Sequence, residues 1–261
     1  MCERESKMRE KKRTIEISLV LPAHNEADKI RAAVRQTKQA LAEFSSSYEI
    51  LIAEDGSTDG TADIANRVAS ADSSLRHIHS DMRLGRGKAL NHAFKLAQGD
   101  ILAYMDVDLS TDLSYLKPLI NAIKEEQYDF ATGSRMLKDS TVKRSFKRKA
   151  MSTVFNLLVR IILRSTIRDH QCGFKSFRKD ALMRILTEIE DEHWFWDTEL
   201  LVRAQRNGYK VKEIPVTWVD KGGAGTKVNA FTDSTAMFSK IIKLYFNLRR
   251  GAKNEGHFLH R

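Results

Sequence analysis

This 261-residue chain is short of the features that mark secreted and membrane-spanning proteins. Its two cysteines, Cys2 and Cys172, do not make a disulfide framework and suit a reducing compartment. No apolar run approaches the roughly 20 residues of a membrane span. The opening MCERESKMREKKRT is charged throughout and lacks the apolar region of a signal peptide. Together these absences predict a cytoplasmic protein, attached at most to the cytoplasmic face of a membrane, with no transmembrane span of its own. Only three prolines occur, and there is no internal repeat or low-complexity segment. The histidines show no H-x-x-x-H zinc spacing, so single surface or structural roles are expected of them. The stretch GRGK lacks the G-x-x-x-x-G-K-[ST] spacing of an ATP-hydrolysing loop.

Positive charge is plentiful. A net charge of +10 points to an anionic partner, whether nucleic acid, anionic lipid or a phosphorylated substrate. The length allows one large α/β domain or two small ones.

From residue 15 to about 135, strand-like and helix-like patterns alternate. Strands are predicted at IEISLVLPA (15–23), YEILIAED (48–55), RHIHS (76–80), ILAYMDVD (101–108) and YDFATGSR (128–135). Between them helices are predicted over 26–44, from TDGTADIANRVAS with Thr58 or Asp59 as N-cap, over 87–98 closed by Gly99, and over 112–126. Repeated β-α units imply a mostly parallel sheet with helices on both faces.

Asp106 and Asp108 end the apolar run ILAYMDVD. Two carboxylates there cannot both remain in an apolar core at acceptable desolvation cost, so they belong at the carboxyl edge of the sheet, where ligands of open α/β folds bind. Hard oxygen ligands at i and i+2 suit Mg²⁺ or Mn²⁺ shared with a diphosphate. Three other strands lead into polar loops: LPAHNEAD with Asn25 and Glu26, AEDGSTDGT with Glu54 and Asp55, and the glycine loop LGRGKAL. Their convergence on one edge is stronger evidence for a site than any single motif. Asp55-Gly56 taken alone is equally a turn signal.

Beyond residue 135 the pattern breaks. Residues 135–168 hold ten Lys or Arg against one acid, Asp139. Within this stretch MSTVFNLLVRIILR spaces Asn156, Arg160 and Arg164 by four and leaves most of the remaining helix surface apolar. FTDSTAMFSKIIKLYFNLRR (231–250) brings Phe231, Phe238, Ile241, Tyr245 and Leu248 near one face, amid Lys240, Lys243, Arg249 and Arg250. Either helix reads as core-packed with a solvated basic face, or as a basic amphipathic helix lying in a membrane interface; two in one cationic chain favour the lipid surface.

LPAHNEAD, AEDGSTDGT, GRGKAL, MDVDLSTD, ATGSR, DHQCGFK and WFWDTELL, in that order, resemble the family 2 glycosyltransferases of the GT-A fold, and within them the dolichyl-phosphate glucose and mannose synthases. The resemblance covers about 15–228. It implies a charged extension (1–14), a Rossmann-like GT-A domain (15–228) and a C-terminal amphipathic helix with tail (229–261). It also implies roles. Pro22, Ala23, Glu26, Glu54 and Asp55 would line the nucleotide pocket, Asp55 meeting the base or ribose, with the Gly85–Lys88 loop packed beside the base. Asp106 and Asp108 would hold the metal and diphosphate, Asp108 more directly. Arg135, and Arg148 with Ser152, match positions that bind phosphate of donor or acceptor. Lys221 and Lys227 fall where the family has an arginine and a lysine six apart; a lysine at 221 lacks arginine's bidentate fork. Glu54 replaces the commoner aspartate.

The implied reaction is inverting transfer of a hexose from a nucleotide-sugar, UDP-glucose-type favoured and GDP-mannose possible, to dolichyl or polyprenyl phosphate. A phosphate acceptor is already anionic near neutrality, its second pKa being about 6, so it needs cations more than a base. The alternative is a soluble family 2 enzyme acting on a hydroxyl of a glycan, protein or lipid. A nucleic-acid-binding protein, suggested by charge alone, does not explain carboxylate-tipped strands, and no nucleic-acid partner is expected. A nucleotide-sugar pyrophosphorylase would begin with a glycine-rich basic loop, which LPAHNEAD is not. Trp194, Phe195 and Trp196 are expected in the core or an acceptor wall. Glu199 faces the sugar or caps a core network, and His170 with Cys172 is an improbable metal pair.

Overall fold

The computed structural model describes residues 15–221 and 232–258, with side chains described over 15–221 and 236–250. The extension 1–14, Lys227, Phe231 and the last three residues lie outside the described residues.

The first four strands are β1 (Ile17–Ala23), β2 (Tyr48–Glu54), β3 (Leu75–Ile78) and β4 (Ile101–Met105). They alternate with helices α1 (Ile30–Ala42), α2 (Thr61–Ser70) and α3 (Arg86–Leu96). A short 3-10 turn at Leu113–Tyr115, whose start is capped by Asp112 accepting from the Ser114 N–H at 2.8 Å, leads into α4 (Leu116–Lys124). Then come β5 (Phe130–Ser134), β6 (Thr141–Lys143), α5 (Phe146–Leu163), β7 (Phe174–Arg178), α6 (Lys179–Leu186), α7 (Trp196–Arg206), β8 (Val211–Pro215), β9 (Thr217–Val219) and α8 (Thr232–Phe258).

Seven strands form one sheet in the order β3-β2-β1-β4-β7-β5-β8, and β6 pairs with β9 in a small second sheet. All neighbours in the large sheet are parallel except β7, which runs antiparallel to β4 and β5. The expected mostly parallel sheet is therefore present, with one reversed strand that the pattern break after residue 135 conceals. FKSFR sets Lys175 and Ser176 between two phenylalanines, and both polar residues are fully buried in it.

Both sheet faces are covered, which is why β1 is apolar but for Ser18, whose buried hydroxyl donates to Glu49 at 2.6 Å. Ile17, Leu19 and Leu21 point to a core shared with Ile30, Val34 and Leu41 of α1 and Leu119 and Ile120 of α4. Val20 points the other way, to a core with Phe94, Leu182, Trp196 and Leu200. A third cluster joins Val159 and Leu163 of α5, Phe195 and Val202, and Ile241 and Leu244 of α8.

Several local expectations need correction. The N-cap of α2 is Gly60 (φ 88°), not Thr58 or Asp59. Asp59 stands one residue earlier and accepts the Thr61 N–H at 3.0 Å and the Ala27 N–H at 3.1 Å. Helix α3 ends at Leu96, and Gly99 is needed for proximity instead: a Cβ there would lie 2.6 Å from the Ser18 nitrogen. On α8, Ile241 packs inward as expected, but Phe238 is exposed and Leu244 takes the buried position. Asn156, expected on a polar stripe, is buried in α5 and accepts from the His170 backbone N–H at 3.0 Å.

Candidate active site

The parallel order sets the carboxyl ends of β3, β2, β1 and β4 side by side. The loops leaving them each contain a residue with positive φ: Gly85 (98°), Gly56 (60°), Asn25 (56°) and Leu109 (49°). For Asn that conformation is mildly unfavourable; for Leu it is costly, and such outliers gather where a site dictates backbone shape. In the turn around Leu109, its N–H donates to the Asp106 carbonyl at 3.1 Å and the Ser110 N–H donates to Asp108 Oδ1 at 2.9 Å. The Asp108 side chain is thereby aimed while the residue remains exposed.

Asp55 organises the neighbouring loops. It is buried, its N–H donates to the Ala23 carbonyl at 2.9 Å, and its two oxygens accept the Leu84 N–H (2.5 Å) and Gly85 N–H (3.1 Å). The carboxylate expected to meet base or ribose therefore also fixes the glycine loop. Asn25 Oδ1 accepts the Thr58 N–H at 2.8 Å, and the Glu26 N–H donates to Thr61 Oγ1 at 2.9 Å. The Glu26 carboxylate receives Lys29 at 2.7 Å. Pro22 and Ala23 lie in register with Ala53 and Glu54. Lys88 pairs with Glu192 at 3.0 Å on the outside of α3.

Arg86, within the Gly85–Lys88 loop but given no role of its own by the motif, is the hub. Its guanidinium donates to Asp106 Oδ1 at 2.8 Å and to Asp197 Oδ2 at 2.7 Å, and stands 5.2 Å from the ring centroids of both Tyr104 and Trp194. Asp197 also accepts the Tyr104 hydroxyl and sits 3.1 Å from the fully buried Lys175 Nζ. Burial opposes ionisation of Asp197, yet the charges of Lys175 and Arg86 and the Tyr104 hydroxyl together hold it below the ordinary carboxylate range. Asp106 is enclosed on the Arg86 side and open on the other, with 44% of its side chain exposed. Enclosure raises its pKa against the pull of Arg86, and Asp108 adds to the rise. The backbone beyond Asp106 is pinned by its N–H donating to the Gly173 carbonyl at 3.0 Å; a Cβ on Gly173 would fall 1.9 Å from Asp106 Oδ2.

Asp106, Asp108, Ser110, Thr111 and Trp218 line a small recess. Its acidic donors are carboxylate oxygens, without imidazole or thiolate, which fits a hard divalent cation such as Mg²⁺ or Mn²⁺.

Basic residues flank this recess. Arg135 is committed to the buried Asp169 through Nε (2.7 Å), Nη2 (3.0 Å) and its own N–H (2.9 Å), and its guanidinium stands 5.6 Å from the Trp218 ring centroid. Burial would raise the Asp169 carboxyl, but the charge and hydrogen bonds of Arg135 hold it far down. Arg148 pairs with Asp220. Ser152 accepts from Arg144 Nη2 at 2.6 Å rather than meeting Arg148. Arg144 Nε is enclosed without a partner, and burial plus the nearby Arg135 lower the Arg144 pKa. It is a cation short of an anion. Lys221 is exposed.

Phe195 and Trp196 are core, while Trp194 is 45% exposed and forms the wall against which Arg86 stacks. Glu199 caps a network, accepting the Asp191 N–H (2.9 Å) and Arg203 Nε (2.8 Å). His170 is buried between Asn156 Oδ1 and Ser165 Oγ, each at 2.8 Å, in a structural role. Asp197 was legible by a signal like that of Asp106, a carboxylate closing an apolar run, here WFWD.

Residues 18–186 match the family model described as Glycosyl transferase family 2. Glycosyltransferase AglD of Haloferax volcanii is 48% identical over 236 residues, covering 90% of this chain but only 38% of that protein. Dolichyl-phosphate beta-glucosyltransferases of Dictyostelium discoideum and Saccharomyces cerevisiae are 28% and 29% identical, covering 91% and 87% of this chain and 76% and 73% of theirs. The chain thus spans well under half of AglD and about three quarters of the other two. Glucosyl-3-phosphoglycerate synthase of Mycobacterium tuberculosis superposes with a TM-score of 0.64 at 19% identity, over 89% of this chain and 80% of that one, a likeness of GT-A fold. The same enzyme solved with Mn²⁺, UDP and glucosyl-3-phosphoglycerate gives 0.62 at 18% identity, over 89% and 79%. With its mostly parallel sheet, carboxylate-tipped strands and a family match over most of its length, this chain belongs to glycosyl transferase family 2.

Proposed function

We propose that residues 15–228 form a catalytic domain that moves a hexose from a nucleotide-sugar, UDP-glucose-type favoured over GDP-mannose, to a dolichyl or polyprenyl phosphate, with inversion. The observation that carries the phosphate acceptor is Arg144, an enclosed and incompletely partnered cation. Arg135 and Arg148 contribute to the charge felt at Arg144, which follows β6, the strand paired with the recess-lining Trp218 of β9. The names of the dolichyl-phosphate glucosyltransferase relatives support the same acceptor. A hydroxyl acceptor would need a carboxylate base. The enclosed Asp197 is a poor one, being ion-paired and held below the usual pKa range. An anionic acceptor oxygen needs no such base.

Asp108 and Asp106 would hold a Mg²⁺ or Mn²⁺ ion, which when bound supplies Lewis-acid neutralisation of the departing diphosphate. Asp55 fixes the glycine loop beside the nucleotide. Arg86 keeps Asp106 oriented, and Arg144, Arg148, Lys221 and Lys227 offset repulsion between two phosphorylated substrates.

The acceptor is a lipid, and two helices support a membrane-facing side. On α5, Phe146, Val154, Leu157 and Ile161 are 85%, 57%, 50% and 65% exposed; on α8, Phe238 and Phe246 are 46% and 54% exposed. Among the described residues no helix is long and apolar enough to cross a membrane. Peripheral attachment at the cytoplasmic face, through these side chains and the basic residues beside them, follows from the reading.

The test is incubation with labelled UDP- and GDP-sugars plus dolichyl phosphate in Mg²⁺ and Mn²⁺, followed by lipid extraction. Label in the lipid phase from one donor, lost in Asp108→Ala, is expected. Transfer only to a hydroxyl acceptor would overturn the acceptor, and retained transfer in Asp108→Ala would overturn the metal assignment.

A further inference from the structure

Three side chains that the transfer reaction does not require together meet at the other end of the same sheet edge. Parallel register pairs Ile52 with His77 and Ala53 with Ile78, so the next step along both chains brings Glu54 opposite His79. Alternation along the strands then puts Glu54, His77 and His79 on one face. A carboxylate oxygen of Glu54 and one ring nitrogen from each histidine lie within 4.8 Å of one another.

The surroundings are those of ligands already oriented. The Glu54 side chain is fully buried. Its Oε1 accepts the Ser57 N–H at 2.6 Å, which leaves Oε2 turned to His79 Nδ1 at 2.5 Å. The other nitrogen of His79 meets Asp81 Oδ1 at 3.2 Å, and a carboxylate behind an imidazole is the usual device for orienting a metal-bound histidine. His77 Nε2 is enclosed with no hydrogen-bond partner. An ion pair accounts for Glu54 with His79. It does not account for a second imidazole alongside with an unsatisfied nitrogen.

We propose that Glu54, His77 and His79 bind a divalent d-block cation of the zinc class, at a site separate from Asp106 and Asp108. Two imidazoles and one carboxylate favour Zn²⁺, Co²⁺ or Ni²⁺ over Mg²⁺. Metal bonds of about 2.0–2.2 Å in a tetrahedron place ligand atoms about 3.3 Å apart, so the short Glu54–His79 contact opens by less than about 1 Å while the His77 nitrogen closes in by at most about 1.5 Å. Strand β1 lies between β2 and β4, which sets the two sites about 10 Å apart across the sheet. The ion staples β2 to β3 next to Asp55, whose carboxylate holds the Leu84 and Gly85 N–H groups. It therefore stiffens the loop that presents Arg86. In the sequence the signal is H-x-H at strand spacing in RHIHS, invisible to a search for helical H-x-x-x-H.

The experiment uses the chelator-treated 261-residue chain in excess Mg²⁺, titrated with Co²⁺ alone and Zn²⁺ alone. We expect one Co²⁺ to bind with the strong visible absorption of a low-coordinate, nitrogen-ligated ion, Zn²⁺ to displace it, and Zn²⁺ to raise the melting temperature. His77→Asn and His79→Asn should each weaken binding at least tenfold while still unfolding in one cooperative melt without metal, and Asp108→Asn should leave it unchanged. That melt guards against misfolding, and His79, being exposed, is the safer of the two variants. No Co²⁺ binding in excess Mg²⁺, binding untouched by both histidine variants, or binding lost in Asp108→Asn would overturn the site. None of these readouts depends on sugar transfer.

Discussion

Replacing Arg86 with Met keeps the unbranched stem of the side chain and removes its charged head, so it isolates what the guanidinium does. Two ion pairs disappear, and they are unequal. The link to Asp197 is buried, with Arg86 11% and Asp197 4% exposed in their side chains. The link to Asp106 is half open to water and is worth correspondingly less. Stranding a buried charge costs about 3–5 kcal/mol, but Asp197 keeps Lys175 and Tyr104, which puts this leg at about 2–3 kcal/mol. Loss of the cation from between Tyr104 and Trp194 adds about 0.5–1 kcal/mol. The total is about 3 kcal/mol, and with a urea m-value of about 3 kcal/mol/M the unfolding midpoint should fall by about 1 M. Asp106→Asn alone should shift the midpoint far less. In the double variant the two effects should fall short of additive, because the partner of one change has already gone. A midpoint for Arg86→Met within about 0.2 M of the parent would refute the claim that this guanidinium neutralises a buried carboxylate.

Other expectations follow from single contacts. His170 is driven down to about 3 by burial, whereas an unfolded histidine titrates at about 6.5. Unfolding therefore takes up a proton between these values, and stability should fall with pH from about 6.5 toward 3 at about 1.4 kcal/mol per unit from this group. His170→Gln should lose that slope in denaturant titrations at several pH values, and an unchanged slope would contradict it. Gly173→Ala should displace Asp106 and cut sugar transfer while leaving the fold intact by circular dichroism, since the added methyl falls on its carboxylate; wild-type transfer would count against the placement of Asp106. Leu157→Asp with Ile161→Asp removes two half-exposed apolar contacts, about 2 kcal/mol in sum and roughly thirtyfold in vesicle partitioning. Equal sedimentation with anionic vesicles would exclude α5 from the membrane face.

The parallel half of the fold was legible because its signals are local. ISLVLPA and ILAYM are buried on both faces and read as near-continuous apolar strands, and each helix between them keeps its apolar residues on one side. The reversed strand β7 was not legible. Lys175 interrupts its pattern, and a lysine in a strand suggests solvent, whereas here it is buried against Asp197 and the Cys172 carbonyl. Only a partner 22 residues further along the chain makes that burial tolerable, and no window of sequence contains the pair. β6, β8 and β9 are short strands whose partners are equally remote.

For the site, the sequence shows where carboxylates must emerge from apolar strands and does not show what meets them. Asp106 and Asp108 were found because an acid at the end of ILAYM has nowhere else to go. Arg86 was hidden among 44 Lys and Arg residues, and its selection depends on α3 beginning directly beneath the end of β4. The same holds for Arg135. Its GSR context marks it as a phosphate ligand by resemblance, yet three hydrogen bonds commit it to Asp169. Its field acts through Arg144, which burial leaves short of an anion. Charge counting locates a cationic flank in this chain; deciding which cation is available to a ligand requires knowing which acids already hold the others. On that criterion Arg144→Gln should weaken acceptor binding more than Arg135→Lys weakens it, while Arg135→Lys should cost more stability. Steady-state KM for the lipid phosphate and urea midpoints measure the two separately, and the opposite ranking would return the phosphate contact to Arg135.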